Sequence, residues 1–207
     1  MSPKLGVAPL RREEIIQATI RCLARDGSSG LRMKNIAGEA GVSQAILHYY
    51  FASKRAILIA ALDTVTADLN RRVSKLTEGA RDARSRLRAV TKGLLGLAEE
   101  NRDFWLVFIT LWGEMMHDKE LARFNAEVYR KYRRGLGLLV ADGLRSKVFR
   151  RVDPEEAGAI ILAVVDGISL QRMFDPKAFT LERAVQFSAE AIERYLQKRR
   201  SHPSRPG

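Results

Sequence analysis

The sequence predicts an all-α fold of about nine helices, on three observations. Apolar residues recur at three- and four-residue spacing in nearly every segment. No segment keeps a period-two alternation for long, and the breaks between segments carry capping residues, Gly or Pro. The expected organisation is an N-terminal three-helix head over residues 1–55, a larger helical region over 56–200 and a basic, disordered tail over 201–207. With 207 residues and 46% hydrophobic content the chain can bury a real core. A formal net charge of +12 suits a polyanionic partner, though it also fits an anionic membrane surface. One cysteine excludes an intrachain disulfide framework and fits a reducing compartment. No apolar run approaches the ~20 residues of a membrane span, and the N-terminus lacks the apolar core of a secretion signal. A cytoplasmic protein with no membrane partner is expected.

Residues 1–9 read as an arm, whose Lys4, together with Arg11 and Arg12 just beyond, is either solvated or touches a DNA backbone. A first helix over about 10–25 buries Ile15, Ile16, Thr19, Ile20 and Leu23, with Cys22 as core. Asp26 to Gly30 is a loop by composition. A second helix over about 33–40 turns Ile36, Ala37 and Ala40 to one face. Gly41 then takes a left-handed C′ position, Val42 plugs the turn, and Ser43 caps a third helix over about 44–50. Leu47 and Phe51 face inward, which leaves Gln44, Ala45, His48 and Tyr49 on the opposite face. Two short helices at a tight turn are the layout of a helix-turn-helix, whose second helix enters the major groove. Gln44 can read an adenine edge and Ala45 a thymine methyl, while His48 and Tyr49 reach bases or backbone. Arg32, Lys34, Ser43, Tyr50 and Lys54 supply phosphate contacts, which position rather than specify. Residues 1–55 hold nine Lys/Arg and four Asp/Glu.

The run IAGEAGVSQAILHYYFASKRAIL resembles the helix-turn-helix of the TetR family of transcriptional regulators. The matching positions are Ile36-Ala37, Ala40-Gly41-Val42-Ser43, Tyr50-Phe51, Ser53-Lys54 and Ile57-Leu58. Two positions depart from the family pattern. Arg32 stands where a Ser or Thr usually caps the first helix of the pair, and His48 where a Tyr is common. The resemblance implies a dimeric regulator, usually a repressor, that binds a palindromic DNA operator and is released by a small-molecule effector; residues 1–55 would be its helix-turn-helix DNA-binding domain and 56–200 its helical ligand-binding and dimerisation domain.

Ser53 caps a fourth helix over about 54–76, whose Ile57, Leu58, Ala61, Leu62, Val65 and Leu69 form a stripe shared by both regions. Helices over about 83–100, 102–117 and 119–146 follow, the last capped by Asp118. Asp153-Pro154-Glu155-Glu156 starts another helix, with the N-cap Asp, Pro at N1 and acids at the positive dipole end; it runs to about 173. Thr180 caps the last, over about 181–199. Two stripes on these final helices, Ala157, Ile161, Val164, Val165, Ile168 and Leu181, Ala184, Val185, Ser188, Ile192, Tyr195, Leu196, face either their own core or a second copy. Small residues among them, Gly158 and Gly167 included, permit close approach. The family resemblance implies the homodimer.

Trp105, Phe108, Trp112 and Met116 share one helical face. They are plain core, or with Phe124 and Tyr129 they line an apolar ligand cavity. Glu114 and Asp166 lie in apolar surroundings, where a bound cation would pair with one of them. The stretch FWLVFITLWGEMMHDKELARFNAEVYRKYRRGL is similar to its counterpart in the choline-responsive, betaine-synthesis subfamily of TetR regulators, which implies a cationic effector. An enzyme is not expected. Glu114-x-x-His117 has the spacing of a helical di-iron motif, yet the other two histidines are His48 and His202. No metal or cofactor is therefore expected. A helical protein-interaction scaffold is the remaining alternative, and it would not need the outward face of residues 43–50.

Overall fold

The computed structural model describes residues 7–27, 31–100 and 102–197, with the side chains among them apart from those of 7, 8 and 97–105. The expectations for residues 1–6, residues 28–30, Asn101, the Trp105 side chain and the tail fall outside the described residues, whereas residues 7–9, expected in the arm, already belong to the first helix. Among the described residues there are nine helices and no strand. They are α1 (Val7–Asp26), α2 (Met33–Glu39), α3 (Gln44–Tyr50), α4 (Lys54–Thr77) and α5 (Ala83–Glu100), then α6 (Arg102–Met115), α7 (Lys119–Arg145), α8 (Pro154–Phe174) and α9 (Leu181–Leu196).

The capping residues set these boundaries. Ser53 Oγ accepts from Ala56 N, Asp118 Oδ1 from Glu120 N and Leu121 N, and Thr180 Oγ1 from Arg183 N. Asp153 Oδ1 accepts from both Glu155 N and Glu156 N, which occupies two orphan donors of the first turn of α8.

The chain divides into two compact units, Met1–Arg71 with Leu97–Val128, and Arg72–Gly96 with Tyr129–Gly207. The division falls inside α4, α5 and α7. In the first unit α1 packs on α2 and α6, and α2 on α3. Ile15, Ile16, Cys22, Ile36, Leu47, Phe51 and Ile57 form its core around the helix-turn-helix. Burial pushes the Cys22 thiol above its ordinary pKa, as expected of a core position.

In the second unit α8 packs on α9. Glycines bring α8 against α7. A Cβ on Gly158 would lie 2.3 Å from the Arg133 carbonyl oxygen, and one on Gly137 would lie 2.8 Å from that of Pro154. Gly158 therefore serves the chain's own packing rather than a second copy. The same correction holds for much of the two stripes. Ala157, Ile161, Val165, Ala184, Ser188, Ile192 and Leu196 are buried within the protomer. The uncovered apolar side of α8 is instead Ile160, Ala163 and the half-buried Val164, with Phe174 exposed at its end. The composition of α8 also departs from expectation. By length and composition it is long and apolar enough to cross a membrane, with an 18-residue window of mean hydropathy 1.5. A helix covered by α7 and α9 on one side and apolar on the other reads this way without any lipid.

Candidate nucleic-acid interface

The turn between α2 and α3 is closed by three backbone hydrogen bonds. Ala40 N donates to Ile36 O at 2.9 Å, Gly41 N to Gly38 O at 3.1 Å, and Val42 N to Ala37 O at 2.9 Å. The last two form the paired closure of a Schellman motif, with Gly41 in its left-handed position at φ 63°. Ser43 then begins α3, its Oγ accepting from Ile46 N at 3.2 Å. At the other end of α2, Arg32 makes no side-chain cap, and its carbonyl accepts from Asn35 N and Ile36 N instead. Arg32 and Lys34 are both exposed.

Only Leu47 of α3 is buried. One turn of 100° per residue puts Ala45 and Tyr49 opposite it, Gln44 and His48 on one flank and Ile46 on the other. All five are exposed, Tyr49 at 71% and Ile46 at 44%. Ile46 is the member that sequence reading missed, because an apolar residue was not sought on an outward face; helical angle alone would have placed it there. Tyr50 is half-buried against the core and meets Tyr49 edge to face, with ring centroids 5.2 Å apart. Tyr50 thus braces Tyr49. Below them Phe51 is buried, and the Arg12 guanidinium lies 5.0 Å over its ring, so Arg12 has a partner of its own. Glu39 holds α2 to α1 by accepting from Arg21 and Arg25, each at 2.8 Å, and those bonds keep its carboxyl below the usual carboxylate range.

An extended Ser43 cap, a glycine turn closed by backbone hydrogen bonds and a short helix with five exposed residues suit entry of an α-helix into the major groove. The family model of bacterial regulatory proteins of the tetR family matches residues 15–61, and that of the BetI-type transcriptional repressor, C-terminal, matches residues 83–197, more than half of the chain. The chain belongs to the TetR family. It is thus one of the family's transcriptional regulators, and that class consists of DNA-binding proteins rather than enzymes. This TetR-family chain is 28% identical to the HTH-type transcriptional regulator BetI 1 of Chromohalobacter salexigens over 201 residues, 97% of either chain. It is 29% identical over 198 residues to the BetI regulator of Paraburkholderia phytofirmans, covering 95% of this chain and 99% of that one. Among solved structures it resembles a putative transcriptional regulator from Saccharomonospora viridis in complex with choline. That likeness has a TM-score of 0.79 and 28% identity over 91% of this chain and 98% of the other. A TetR transcription regulator of Haloarcula marismortui matches with a TM-score of 0.81 and 25% identity, over 92% and 100%.

The residues expected to line a ligand cavity fall in both units. In the first, Phe108 is buried and Trp112 half-buried, their rings 5.3 Å apart and tilted by 59°. Phe124 is half-buried. Met116 is 81% exposed, because α6 stops at Met115 and the helical spacing that would turn Met116 inward stops with it; Met115 is the buried methionine. In the second unit Tyr129 Oη donates to the Asp166 carboxylate at 3.0 Å. Desolvation raises the pKa of both groups, and for Asp166 the Tyr129 hydrogen bond opposes that rise. Three residues on, the same helical faces carry Tyr132 and Ser169, whose hydroxyl oxygens are buried with no hydrogen-bond partner. Glu114, the other candidate acid, pairs with Lys54 at 3.5 Å. Among the described residues no group of three or more His, Cys, Asp and Glu is placed to hold a metal ion.

Proposed function

We propose that this chain is a homodimeric repressor that reads a two-fold DNA operator with α3 and releases it when a small quaternary ammonium compound of the choline type binds. The observation that carries the DNA half is the outward face of α3, where Gln44, Ala45, His48 and Tyr49 are exposed on a helix pinned by Leu47. Gln44 and Ala45 read base edges; His48 and Tyr49 extend the contact. Arg32, Lys34, Ser43 and Lys54 hold phosphates, and Tyr50 braces Tyr49. A seven-residue helix reads few base pairs, so two copies about one DNA turn apart, ~34–36 Å, complete the site. The uncovered side of α8 supports pairing with a second copy. The protein acts where the chromosome lies, in the cytoplasm.

The effector half rests on the Tyr129–Asp166 pair. A half-buried carboxylate favours a cation, and aromatic faces attract quaternary ammonium groups. Tyr132 and Ser169 offer hydroxyls for the alcohol end. The neighbour from Saccharomonospora viridis was solved with choline, which supports this choice. Coupling of ~1–3 kcal/mol between ligand and operator is enough for release. Selection of bound duplexes from a random pool, followed by titration of the complex with choline and with uncharged analogues, tests both halves. A palindrome is expected, with release by choline alone. A non-palindromic or absent consensus removes the DNA reading, and indifference to choline removes the effector.

A further inference from the structure

The cations at the start of α4 are already occupied. Lys54 Nζ lies 3.5 Å from the Glu114 carboxylate. Arg55 Nε donates to Asp118 at 2.7 Å, and a second guanidinium nitrogen donates to Glu120 at 2.8 Å. The pairs line a shallow hollow of about 290 Å³, floored by Leu58 and Leu121 and rimmed by Ser53. Three carboxylates thus face two cations at the N-terminus of a 24-residue helix. The chain as a whole is strongly basic, at +12.

This is where a DNA phosphate would bind. A helix N-terminus presents free N–H groups and the positive end of its dipole, and Lys54 and Arg55 stand in its first turn. A guanidinium that bonds carboxylates through two nitrogens matches a phosphate equally well. We propose that Glu114, Asp118 and Glu120 compete with DNA phosphates for Lys54 and Arg55, so that the chain carries its own anionic brake on operator affinity. The proposal rests on the reading of α3 as the DNA-contacting helix.

The chemistry favours exchange over a permanent tie. Lys54 and Arg55 are both partly exposed, and ion pairs of that kind are weak and screened by salt. A duplex offers a dense array of phosphates that outbids single carboxylates when the register is right. The Arg55 hydrogen bond holds the Asp118 carboxyl below the usual carboxylate range, so this acid stays charged at neutral pH. Asp118 also caps α7, whereas the side chains of Glu114 and Glu120 carry no cap. The last two are therefore the positions to change.

The test measures binding of the full chain to its selected duplex, by anisotropy, between about 50 and 200 mM salt. Glu114→Gln and Glu120→Gln together should tighten binding several-fold and steepen the log–log salt slope by about one unit for Lys54, which they free, and by less for Arg55, which keeps Asp118. Glu114→Gln alone should give part of the gain. Lys54→Ala with Arg55→Ala should erase the gain in the double-Gln background, while Glu78→Gln, which removes one negative charge as Glu114→Gln does, should not reproduce the partial gain of Glu114→Gln. Double-Gln variants that bind no tighter than wild type, or a gain that survives loss of both cations, overturn the brake and leave the reading of α3 intact. A wild-type chain that selects no duplex overturns both.

Discussion

At the scale of single residues, the interface separates reading from holding. Gln44 sits on a flank of α3, its amide exposed and free of any packing role, so its loss changes preference rather than folding. Gln44→Ala should lose ~1–3 kcal/mol of discrimination at one base pair in each half-site and leave the unfolding midpoint unchanged. Competition binding against operators altered at single positions checks this; a uniform loss across all of them would make Gln44 a phosphate contact. Asp166 permits a pH argument. Burial raises its folded pKa above the unfolded value of about 3.9. The fold prefers the protonated acid, so its contribution to stability is complete below the unfolded pKa and is lost as pH rises through the folded one. A bound cation prefers the carboxylate, which reverses the sign for binding. Stabilisation by choline should therefore grow with pH across that window, and Asp166→Asn should flatten the profile. Thermal shifts with choline at a series of pH values give the answer. A wild-type profile as flat as that of the Asn variant would remove Asp166 from the ligand site.

At the scale of elements, local chemistry was the legible part of the sequence. Gly41, Ser43, Ser53, Asp118, Asp153 and Thr180 each announce a helix boundary by a mechanism that acts within about four residues, and each stands where that mechanism requires. What the sequence concealed is pairwise and distant. Lys54 and Glu114 are sixty residues apart in the chain, and no periodicity links them. Apolar stripes on α8 and α9 look the same whether they face their own core or a second copy, because burial leaves one signature in either case. The glycines break that tie. Gly158 meets the backbone of α7 so closely that any side chain must push the helices apart. Gly158→Ala should destabilise by ~1–3 kcal/mol through overpacking, although alanine is the better helix former. Gly167→Ala, where an added Cβ meets nothing within 4 Å in its own protomer, should leave the protomer's packing undisturbed, so that any cost it carries falls on pairing with a second copy. Chemical denaturation of the two variants side by side checks the assignment, and equal effects would refute it.

At the scale of the whole molecule, the proposed mechanism requires two copies, and the exposed side of α8 is the surface proposed for a second copy. Ile160 is 40% exposed and Ala163 lies beside it on the uncovered side, with Gly167 one turn further on. Small residues flanked by Ile allow two such helices to approach closely and bury apolar surface at ~25 cal/mol per Å². The buried side of α8 is undisturbed by a change at Ala163. Ala163→Glu should therefore leave the far-ultraviolet helical signal intact, place a pair of like charges across the two-fold axis and dissociate the dimer at micromolar concentration. Operator binding should fall with it, because a single α3 contacts only one half-site and loses the linked second contact. Sedimentation velocity gives the oligomeric state, and anisotropy on whole and half operators gives the binding. A variant that sediments as a monomer yet binds the whole operator as tightly as wild type would show that the two half-sites are not read together. A variant that remains a dimer would move the interface to another face of the C-terminal helices.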